Sequence, residues 1–536
     1  MRFRHFLIAA ISAAIASPVL AAGMLPTPPR VASEAAGPYP MLVIRGATII
    51  PGNGGPPYGP ADIIIRGNRI DEIRAAGTPG LPMPANRGPQ GAAREIDATG
   101  MYVMPGFVDM HGHGGNADKA PDPSYPYRLW LAHGVTTVRT VPLYFDDLNH
   151  ALSDRRRSAA GEITAPRLYL YQTLGSGEEA GWKGGRVQTP EKAREWVRWA
   201  AKTGIDGIKF FNRGDETPEI DSAAIAEAKK LGLGTVAHLS QTNIAEFNAR
   251  DAAAAGLGTI THFYGHFESL LKDRRTQDTP PDYNFNDEQK RFGGIAEIWN
   301  QIYEPGGPEW VAYLQAQKAT GVVFDPTFNI YSASRDLMRA RNADWHAKYT
   351  LPSLADYYES NRDNHGSYFY DWTTAEEVTW RNFYQRYMRL INDYKNMGGR
   401  VTTGSDPGFI YQSWGFNYIL ELELLQEAGF SPLEVIQSAT INGAKTLNEP
   451  KGLEPQFGLV RAGMLADLVI VPENPLQNLK TLYGTGFVRL NPLTNKSETV
   501  GGVRWTIKDG IVFDAPALLA SVAAQVAAEK AKRAGK

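Results

Sequence analysis

The sequence predicts an α/β protein in which a barrel of parallel strands is joined to a smaller β-rich unit. Two observations predict this class. Short apolar strands alternate with helical stretches through the middle of the chain, at about residues 101–449. Two β-rich segments bracket that middle, at residues 41–100 and 459–515. Strands that alternate with helices at this spacing indicate parallel βαβ units, and roughly seven or eight such units suggest a closed barrel.

The composition is that of a large globular protein. The 536 residues include 43% hydrophobic side chains, enough for a full-sized core. Cysteine is absent, which excludes disulfide scaffolds, cysteine nucleophiles, iron–sulfur clusters and thiolate zinc sites. Any metal must therefore bind histidine, carboxylate or lysine-derived ligands. The 55 basic side chains are balanced by 57 acidic ones, so the chain lacks the basic excess that nucleic acid binding requires.

The first 22 residues have the pattern of a secretory signal peptide. Two arginines give a positive start, residues 6–16 are apolar, and residues 19–22 offer small side chains for cleavage. The alternative, a membrane anchor, needs about 20 apolar residues, and Pro18 interrupts the run too early. We therefore expect a periplasmic or secreted protein that has no membrane span after signal removal.

Secondary-structure signals follow in order along the chain. Residues 23–40 are rich in Pro, Gly and Ala and are predicted to form a linker. β-branched residues between turn signals predict the strands of the β-rich ends, at residues 41–50, 61–73, 94–101, 467–471, 500–507 and 511–513. Short apolar runs predict the barrel strands, at residues 135–141, 167–172, 207–211, 235–239, 259–263, 322–326 and 401–404. Residues 516–536 are rich in alanine and predict a C-terminal helix or tail.

Two long insertions interrupt the barrel pattern, at residues 268–321 and 327–400. Loops of this length usually carry structure of their own. The second insertion is crowded with aromatic side chains, and residues 379–395 repeat apolar positions at helical spacing, so most of these rings are expected to form core. If some rings face the barrel mouth instead, they would build a partly apolar pocket for a bulky substrate group.

A histidine pair lies at the start of the barrel region. In residues 105–113, His111 and His113 are separated by one glycine. In an extended segment their side chains point to the same face and can bind one metal ion. Taken alone, the spacing also fits a surface feature or an unrelated core pair.

Further chemically active side chains lie on later strands of the barrel. His238, His262 and Asp406 each stand at the end of a predicted strand, where the active sites of such barrels collect. Lys209 lies inside an apolar strand, and a buried lysine is costly unless its charge is paired or removed. It could reach the barrel rim or pair with an acid. Alternatively, carbon dioxide converts its amine into a carbamate that bridges two metal ions.

The chain resembles the metal-dependent amidohydrolase superfamily through one ordered set of residues: His111, His113, Lys209, His238, His262 and Asp406. It is most similar to the imidazolonepropionase-like and Xaa-Pro dipeptidase-like branch, over residues 41–513. Supporting motifs are Val-Thr-Thr-Val-Arg at 135–139 and Gly-Met-Leu-Ala-Asp-Leu-Val at 463–469. The fold that this resemblance implies is an α/β fold, a (β/α)8 TIM barrel over residues 101–449 with a β-sandwich formed from both chain ends.

The resemblance also implies the cofactors and the residue roles. Two divalent metal ions, most often zinc, would be bound, with carboxylated Lys209 as the bridge between them. The other ligands would be, for the first ion, His111, His113 and Asp406, and, for the second, His238 and His262. The ions lower the pKa of a shared water, so that a metal-bridging hydroxide attacks the substrate carbonyl. Asp406 would be the catalytic group that carries the proton to the leaving atom.

The expected reaction is hydrolysis of an amide C–N bond, in a dipeptide or an N-acyl amino acid. A lactonase or esterase with the same site is an alternative, because the same hydroxide attacks either carbonyl. A non-catalytic periplasmic binding protein is a further alternative, which the intact ligand set disfavours. Elemental analysis separates the last alternative from an enzyme, since the enzyme requires about two metal ions per chain.

The substrate contacts are less well specified than the metal ligands. Related dipeptidases commonly have a tyrosine after the histidine that corresponds to His238, and here Leu239 and Ser240 follow. Tyr264 and His266 follow the ligand His262 in the same loop and are candidate substrate-binding residues. The partner is expected to be a small molecule with hydrophobic groups, and the sequence leaves a homo-oligomer open.

Overall fold

The computed structural model describes residues 23–144, 147–211, 216–279 and 283–535. The predicted signal peptide, residues 1–22, lies outside the described residues. Among the residues that are described, no helix combines the length and the apolar character needed to cross a membrane.

The strands form two large sheets and one small hairpin. In the described residues they are β1 (Ala35–Ala36), β2 (Leu42–Ile49), β3 (Tyr58–Arg66), β4 (Arg69–Ala75), β5 (Arg94–Asp97), β6 (Tyr102–Pro105), β7 (Phe107–Gly112), β8 (Val135–Thr140), β9 (Arg167–Thr173), β10 (Gly207–Phe210), β11 (Gly234–His238), β12 (Thr259–Thr261), β13 (Val323–Asp325), β14 (Leu468–Val471), β15 (Phe487–Asn491), β16 (Lys496–Val500), β17 (Trp505–Lys508) and β18 (Ile511–Asp514). The sheet of β7–β13 has seven strands, β15 pairs with β16, and the remaining strands form a nine-stranded sheet.

Helices follow the strands of the seven-stranded sheet in chain order. The α-helices of the described residues are α1 (Ser124–Ala132), α2 (Leu148–Ala159), α3 (Pro190–Thr203), α4 (Pro218–Lys230), α5 (Ala249–Ala254), α6 (Glu288–Ile295), α7 (Pro308–Thr320), α8 (Ser332–Arg335), α9 (Leu337–Arg341), α10 (His346–Tyr349), α11 (Pro352–Tyr358), α12 (Thr374–Asn396), α13 (Phe416–Glu427), α14 (Pro432–Gln437), α15 (Gly443–Asn448) and α16 (Ala515–Ala534). The π-helical turn Ser438–Asn442 joins α14 to α15.

The strands β7–β13 are parallel and pair in sequence order, which is the arrangement of a TIM-like barrel. The predicted eighth strand makes a single parallel bridge, between Phe324 and Val401. Its next residues still close the ring, because Thr402 N donates to Phe324 O at 2.9 Å and Met110 N donates to Thr403 O at 2.8 Å. Residues 401–403 therefore lie between β13 and β7, and the barrel predicted from the strand and helix alternation is confirmed.

Strands from both ends of the chain share the nine-stranded sheet. Its order is β1-β18-β17-β14-β6-β2-β3-β4, with β5 paired to β2. The N-terminal and C-terminal parts meet where β6 pairs with β14, with Met104 opposite Val469. Apolar side chains from both parts, such as Ile44 and Ile507, belong to one buried cluster. The β-sandwich arrangement that the resemblance implies stays a prediction.

The two terminal segments of the described chain pack against the rest of the fold. In the predicted linker, residues 23–40, β1 pairs with β18 and Thr27 Oγ1 donates to Asp154 Oδ2 at 2.6 Å. At the other end, the residues predicted as a helix or tail form α16, which buries Leu518 and Val522.

The second insertion contains the helix predicted over residues 379–395, which is the longer helix α12. Most of the aromatic side chains of this insertion are buried, as expected for core. Tyrosine hydroxyls of α12 also hold the backbone that follows β13: Tyr387 donates to Pro326 O at 2.5 Å, and Tyr384 donates to Phe328 O. The insertion thus positions the loop beside the barrel mouth.

Candidate metal centre

Four of the predicted metal ligands lie close together at the carboxyl ends of the barrel strands. Asp406 Oδ1 is 3.3 Å from His113 Nε2 and 3.6 Å from His111 Nε2, and Asp406 Oδ2 is 3.6 Å from His262 Nε2. Ligand atoms of His111, His262 and Asp406 all lie within 4.8 Å of one another. Two donors that each lie about 2.1 Å from a tetrahedral ion are about 3.4 Å apart. The observed spacing therefore fits donors around a metal ion.

His238 is the next residue of the same group. Its ring centroid is 4.6 Å from that of His262, and it stacks on Tyr264 at 4.8 Å. The structure thus brings all four predicted metal-binding histidines together, in an order that runs from His113 through His111 and His262 to His238.

In His113 and His262, the ring nitrogen Nδ1 has a partner that fixes the orientation of the ring. His113 Nδ1 lies 3.0 Å from Pro142 O, so Nδ1 carries the proton and Nε2 is the nitrogen that can bind a metal. His262 Nδ1 lies 2.5 Å from Thr327 Oγ1, whose own proton goes to Pro326 O at 2.7 Å. His262 Nδ1 is therefore a donor as well. Both rings present Nε2 to Asp406.

Lys209 lies among these ligands with its ammonium group buried. The residue is 1% exposed, and Nζ has no hydrogen-bond partner in the described part of the chain. Burial lowers the pKa of Lys209 to about 7. Burial also lowers the pKa of His111 and of His238 well below the usual value, and the nearby Lys209 charge adds to the effect. The lysine therefore does not reach the barrel rim, and its amine is available for another bond.

A buried ion pair that sequence reasoning missed supports His111 from inside the barrel. Arg139 Nη2 lies 3.1 Å from Asp325 Oδ2, and both side chains are fully buried. The same Asp325 oxygen is 3.8 Å from His111 Nδ1, while Arg139 Nε donates to Met110 O at 2.6 Å. Burial raises the pKa of Asp325 to about 6, and Arg139 opposes this rise. Asp325 lies near the end of the predicted strand 322–326, and this position is the signal that could have identified it.

Asp109 joins the first strand of the barrel to the segment that carries Asp406. It accepts hydrogen bonds from Ser405 N at 2.9 Å, His111 N at 3.1 Å and Trp130 Nε1 at 3.0 Å. Ser405 Oγ donates to it as well. Burial raises the pKa of Asp109 to about 7, and these donors oppose the rise. The Asp109 carboxyl group thus holds the backbone of His111 and that of Ser405, the residue before Asp406.

The backbone at the site adopts conformations that only a fixed surrounding structure supports. His262 and Asp406 have positive φ angles of 65° and 45°, which are uncommon for residues other than glycine. Nearby, Gly404 packs so closely that a Cβ would lie 2.7 Å from His111 Cβ and 2.8 Å from Asp325 Oδ1. Glycine is required at position 404 because no side chain fits beneath His111.

A cavity of about 360 Å³ opens onto these ligands. All six predicted metal ligands and Tyr264 line it. Both insertions contribute to its wall, the first through Arg291 and Phe292. The aromatic rings that line it include Phe211, Phe292, Tyr331, Tyr368, Phe369 and Phe409. Some rings of the insertions therefore do face the barrel mouth.

His266, predicted as a substrate contact, lies elsewhere. It is not among the described residues that line the cavity, and it is fully buried. Its Nδ1 is 2.7 Å from the Tyr313 hydroxyl, and its ring lies 4.3 Å from that of Phe324. The chain turns after His262 so that His266 points toward α7. The structure thus gives His266 a packing role and leaves Tyr264 as the candidate that can reach a substrate.

A family model described as the Amidohydrolase family matches residues 102–512, which is most of the chain. The chain belongs to the amidohydrolase family. This membership confirms the resemblance carried by the histidine, lysine and aspartate set, and it agrees with the barrel and the ligand cluster described above.

This amidohydrolase is similar to several characterised proteins. An allantoinase from Rubrobacter xylanophilus is 26% identical over 226 residues, which are 40% of this chain and 43% of the allantoinase. An N-acyl-D-aspartate deacylase from Alcaligenes xylosoxydans is 35% identical over 100 residues, 18% of this chain and 17% of the deacylase. The chain thus spans less than half the length of these two relatives. A crystal structure of a Xaa-Pro dipeptidase with bound methionine in the active site has a TM-score of 0.58 and 19% identity, covering 88% of this chain and 100% of the other. That likeness shows a shared fold.

Proposed function

We propose that this amidohydrolase is a binuclear metal-dependent hydrolase that cleaves the amide C–N bond of a dipeptide or an N-acyl amino acid. One observation carries the proposal. His111, His113 and His262 direct ring nitrogens at the two oxygens of Asp406, at distances of 3.3–3.6 Å. Hydrogen bonds would be shorter, at about 2.7–3.2 Å, so the spacing favours a shared metal over direct pairing.

The donor set fits two divalent ions of the zinc type. His111, His113 and Asp406 would hold one, and His238 and His262 the other. Asp406 Oδ1 is buried without a hydrogen-bond partner in the described residues, as expected for an oxygen that a cation satisfies. When bound, such ions lower the pKa of water toward neutrality and polarise a substrate carbonyl.

Lys209 is the proposed bridge, as a carbamate. Its buried Nζ has no partner in the described chain and lies among the histidine ligands. Carbon dioxide adds to the neutral amine, a C–N bond forms, and one proton leaves. The product is an anion with two oxygens, which suits a position between two cations better than an ammonium group does.

Asp406 is the proposed proton carrier of the reaction. Its carboxylate lies beside the ligand nitrogens and reaches the cavity. It accepts the proton of the attacking water as the oxygen bonds to the carbonyl carbon. It then delivers this proton to the leaving nitrogen as the C–N bond breaks.

The wall of the cavity supports an apolar substrate. The aromatic rings that line it include three from the insertion 327–400, which are Tyr331, Tyr368 and Phe369. Such walls favour hydrophobic acyl or amine groups. The relatives that hydrolyse N-acyl amino acids and Xaa-Pro dipeptides agree with an amide substrate.

Purified protein loaded with zinc tests the function. We expect about two metal ions per chain and faster hydrolysis of N-acyl aromatic amino acids than of small polar dipeptides. His262→Ala should lose metal and turnover together, whereas His346→Gln, which changes a histidine outside the cavity lining, should retain both. Faster turnover of lactones than of amides would favour the esterase alternative, and metal binding without turnover of any compound would contradict the proposal.

A further inference from the structure

Two cationic side chains line the cavity and have no part in the proposed metal chemistry. Lys119 lies in the loop between β7 and α1, and Arg291 lies in α6. Among the described lining residues, Asp406 is the one carboxylate, and the proposed function engages it as a metal ligand. The outer cavity therefore has an excess of positive charge beside its aromatic wall.

Lys119 has no carboxylate within ion-pair distance in the described structure, and Asp118 acts on it only from farther away. Its Nζ lies 3.4 Å from the centroid of the Tyr357 ring and 5.6 Å from that of Phe409. The one hydrogen bond from Nζ goes to Gly408 O at 3.4 Å. The residue is only partly exposed. Its ammonium group is thus held in place by aromatic faces and one long hydrogen bond, which leaves donor capacity for a ligand.

Arg291 is only partly satisfied by its acidic neighbour. Its Nη2 donates to Glu288 Oε1 at 3.2 Å, but the same oxygen also contacts His365 Nδ1. The other oxygen, Glu288 Oε2, accepts from Gly366 N at 3.0 Å. Arg291 Nε is buried and has no hydrogen-bond partner in the described residues. The Glu288 carboxylate is therefore shared among three donors, and the guanidinium group keeps unused donors.

Contacts between side chains place both cations along one wall. Phe409 lies beside Lys119 and 5.5 Å from the ring of His365. His365 and Arg291 both contact the Glu288 carboxylate. Phe409, His365 and both cations line the cavity, whereas Glu288 does not. The wall thus alternates aromatic and cationic groups.

We propose that Lys119 and Arg291 bind a carboxylate of the substrate, so that the enzyme prefers N-acyl amino acids over neutral amides. The inference deepens the proposed function and rests on it. A carboxylate supplies the charge partner that Lys119 lacks and the acceptor that Arg291 Nε lacks. Phe409 and Phe292, next to the two cations, receive the apolar side chain of the same amino acid.

Two substrates that differ only in the carboxylate test the proposal. N-acetylphenylalanine and N-acetyl-2-phenylethylamine share the scissile amide and the phenyl ring. We expect Lys119→Met and Arg291→Met each to lower kcat/KM for the acid about tenfold or more, mainly through KM. The same variants should change kcat/KM for the neutral compound less than about twofold. Equal losses for both compounds, or no loss for either, would overturn the carboxylate site.

A lysine outside the cavity provides the control. Lys348 also lies against an aromatic ring, 5.4 Å from the centroid of Tyr349, and it does not line the cavity. Lys348→Met should leave the preference for the acid unchanged. A reduced preference in this variant would show that loss of overall charge explains the effect, and it would overturn the assignment to Lys119.

A binding measurement separates this inference from the proposed function. Calorimetry with the zinc-loaded protein compares 3-phenylpropanoate with 3-phenylpropanamide, and neither requires turnover. We expect the acid to bind more tightly and Lys119→Met to remove that advantage. If the acid still binds more tightly than the amide in Lys119→Met, its carboxylate binds the metal instead, and the inference is overturned. If the tighter binding of the acid depends on Lys119 but the protein cleaves no amide, the carboxylate site is supported and the proposed reaction is rejected.

Discussion

Arg139 and Asp325 form an ion pair of 3.1 Å inside the barrel, and Asp325 is also 3.8 Å from His111 Nδ1. The pair lies on two strands that are not neighbours in the sheet, β8 and β13, and so ties separate parts of the ring together. A metal-binding histidine whose second nitrogen faces a carboxylate is held in one orientation. The pair therefore links the stability of the barrel to the geometry of the metal site.

Removing one member of this pair should be costly. Arg139→Met leaves Asp325 buried without its partner, and we expect the free energy of unfolding to fall by about 3–5 kcal/mol. Urea denaturation measures this change. Arg362→Met, which breaks an exposed pair with Asp371, should change it by less than about 1 kcal/mol. Similar small changes in both variants would contradict a structural role for the buried pair.

Substitution of Lys209 should change the metal content rather than the fold. Lys209→Met removes the proposed bridging group, and we expect the number of metal ions per chain to fall together with turnover. Lys508→Met is a matched control, because Lys508 is also buried but donates to Ser158 O at 2.8 Å, outside the cavity lining. Elemental analysis of both variants decides the matter. A Lys209→Met protein with two ions and full turnover would reject the carbamate.

Gly404 is expected to tolerate no side chain. In Gly404→Ala the new Cβ meets His111 Cβ at 2.7 Å and Asp325 Oδ1 at 2.8 Å, so the ligand or the loop must shift. Overpacking of this kind costs about 1–3 kcal/mol, and we expect weaker metal binding as well. Gly294→Ala in α6 meets only the Tyr283 side chain, 3.4 Å away at nearest, and should change neither property. Thermal unfolding and zinc titration measure both. Unchanged zinc affinity in Gly404→Ala would show that the site adapts.

The proposed carboxylate site should depend on pH. Burial lowers the pKa of Lys119 to about 8, and Asp118 opposes this shift. Tyr357, which packs against the ammonium group, has a raised pKa through burial and stays neutral. Lys119 is therefore charged below about pH 8 and loses its charge as the pH rises through that value.

We expect kcat/KM for N-acetylphenylalanine to fall above about pH 8 relative to kcat/KM for N-acetyl-2-phenylethylamine. The ratio cancels ionisations that affect both substrates, such as those at the metal centre. Because arginine stays charged in this range, Lys119→Arg should shift the fall to higher pH. A ratio that is constant from pH 6 to pH 10 in the parent protein would contradict the role of Lys119.

The sequence was most informative where a local pattern carries the chemistry. His111 and His113 alternate in one extended segment, and His238, His262 and Asp406 lie at or just after the ends of predicted strands, which places them at one end of the barrel. Lys209 is a charged residue in an apolar strand, and Arg139 carries the same signal. Its partner Asp325 lies 186 positions away, and no local pattern shows that the two pair.

The loops were harder to predict than the strands. His266 was expected near the substrate because it follows His262 by four residues, but the positive φ of His262 redirects the chain. Lys119 and Arg291 lie far apart in the sequence, and tertiary packing around Phe409 and His365 brings them to one wall. Such contacts depend on where the insertions fold, which residue spacing does not determine.

The sheet shared by the two chain ends has a consequence for biosynthesis. Strand β6 leaves the ribosome about 360 residues before β14, the strand that pairs with it. The residues that close the barrel are made in between, so the barrel can complete its ring while β6 still has an open edge. Open strand edges promote aggregation. A product that ends before β14 would keep this edge exposed.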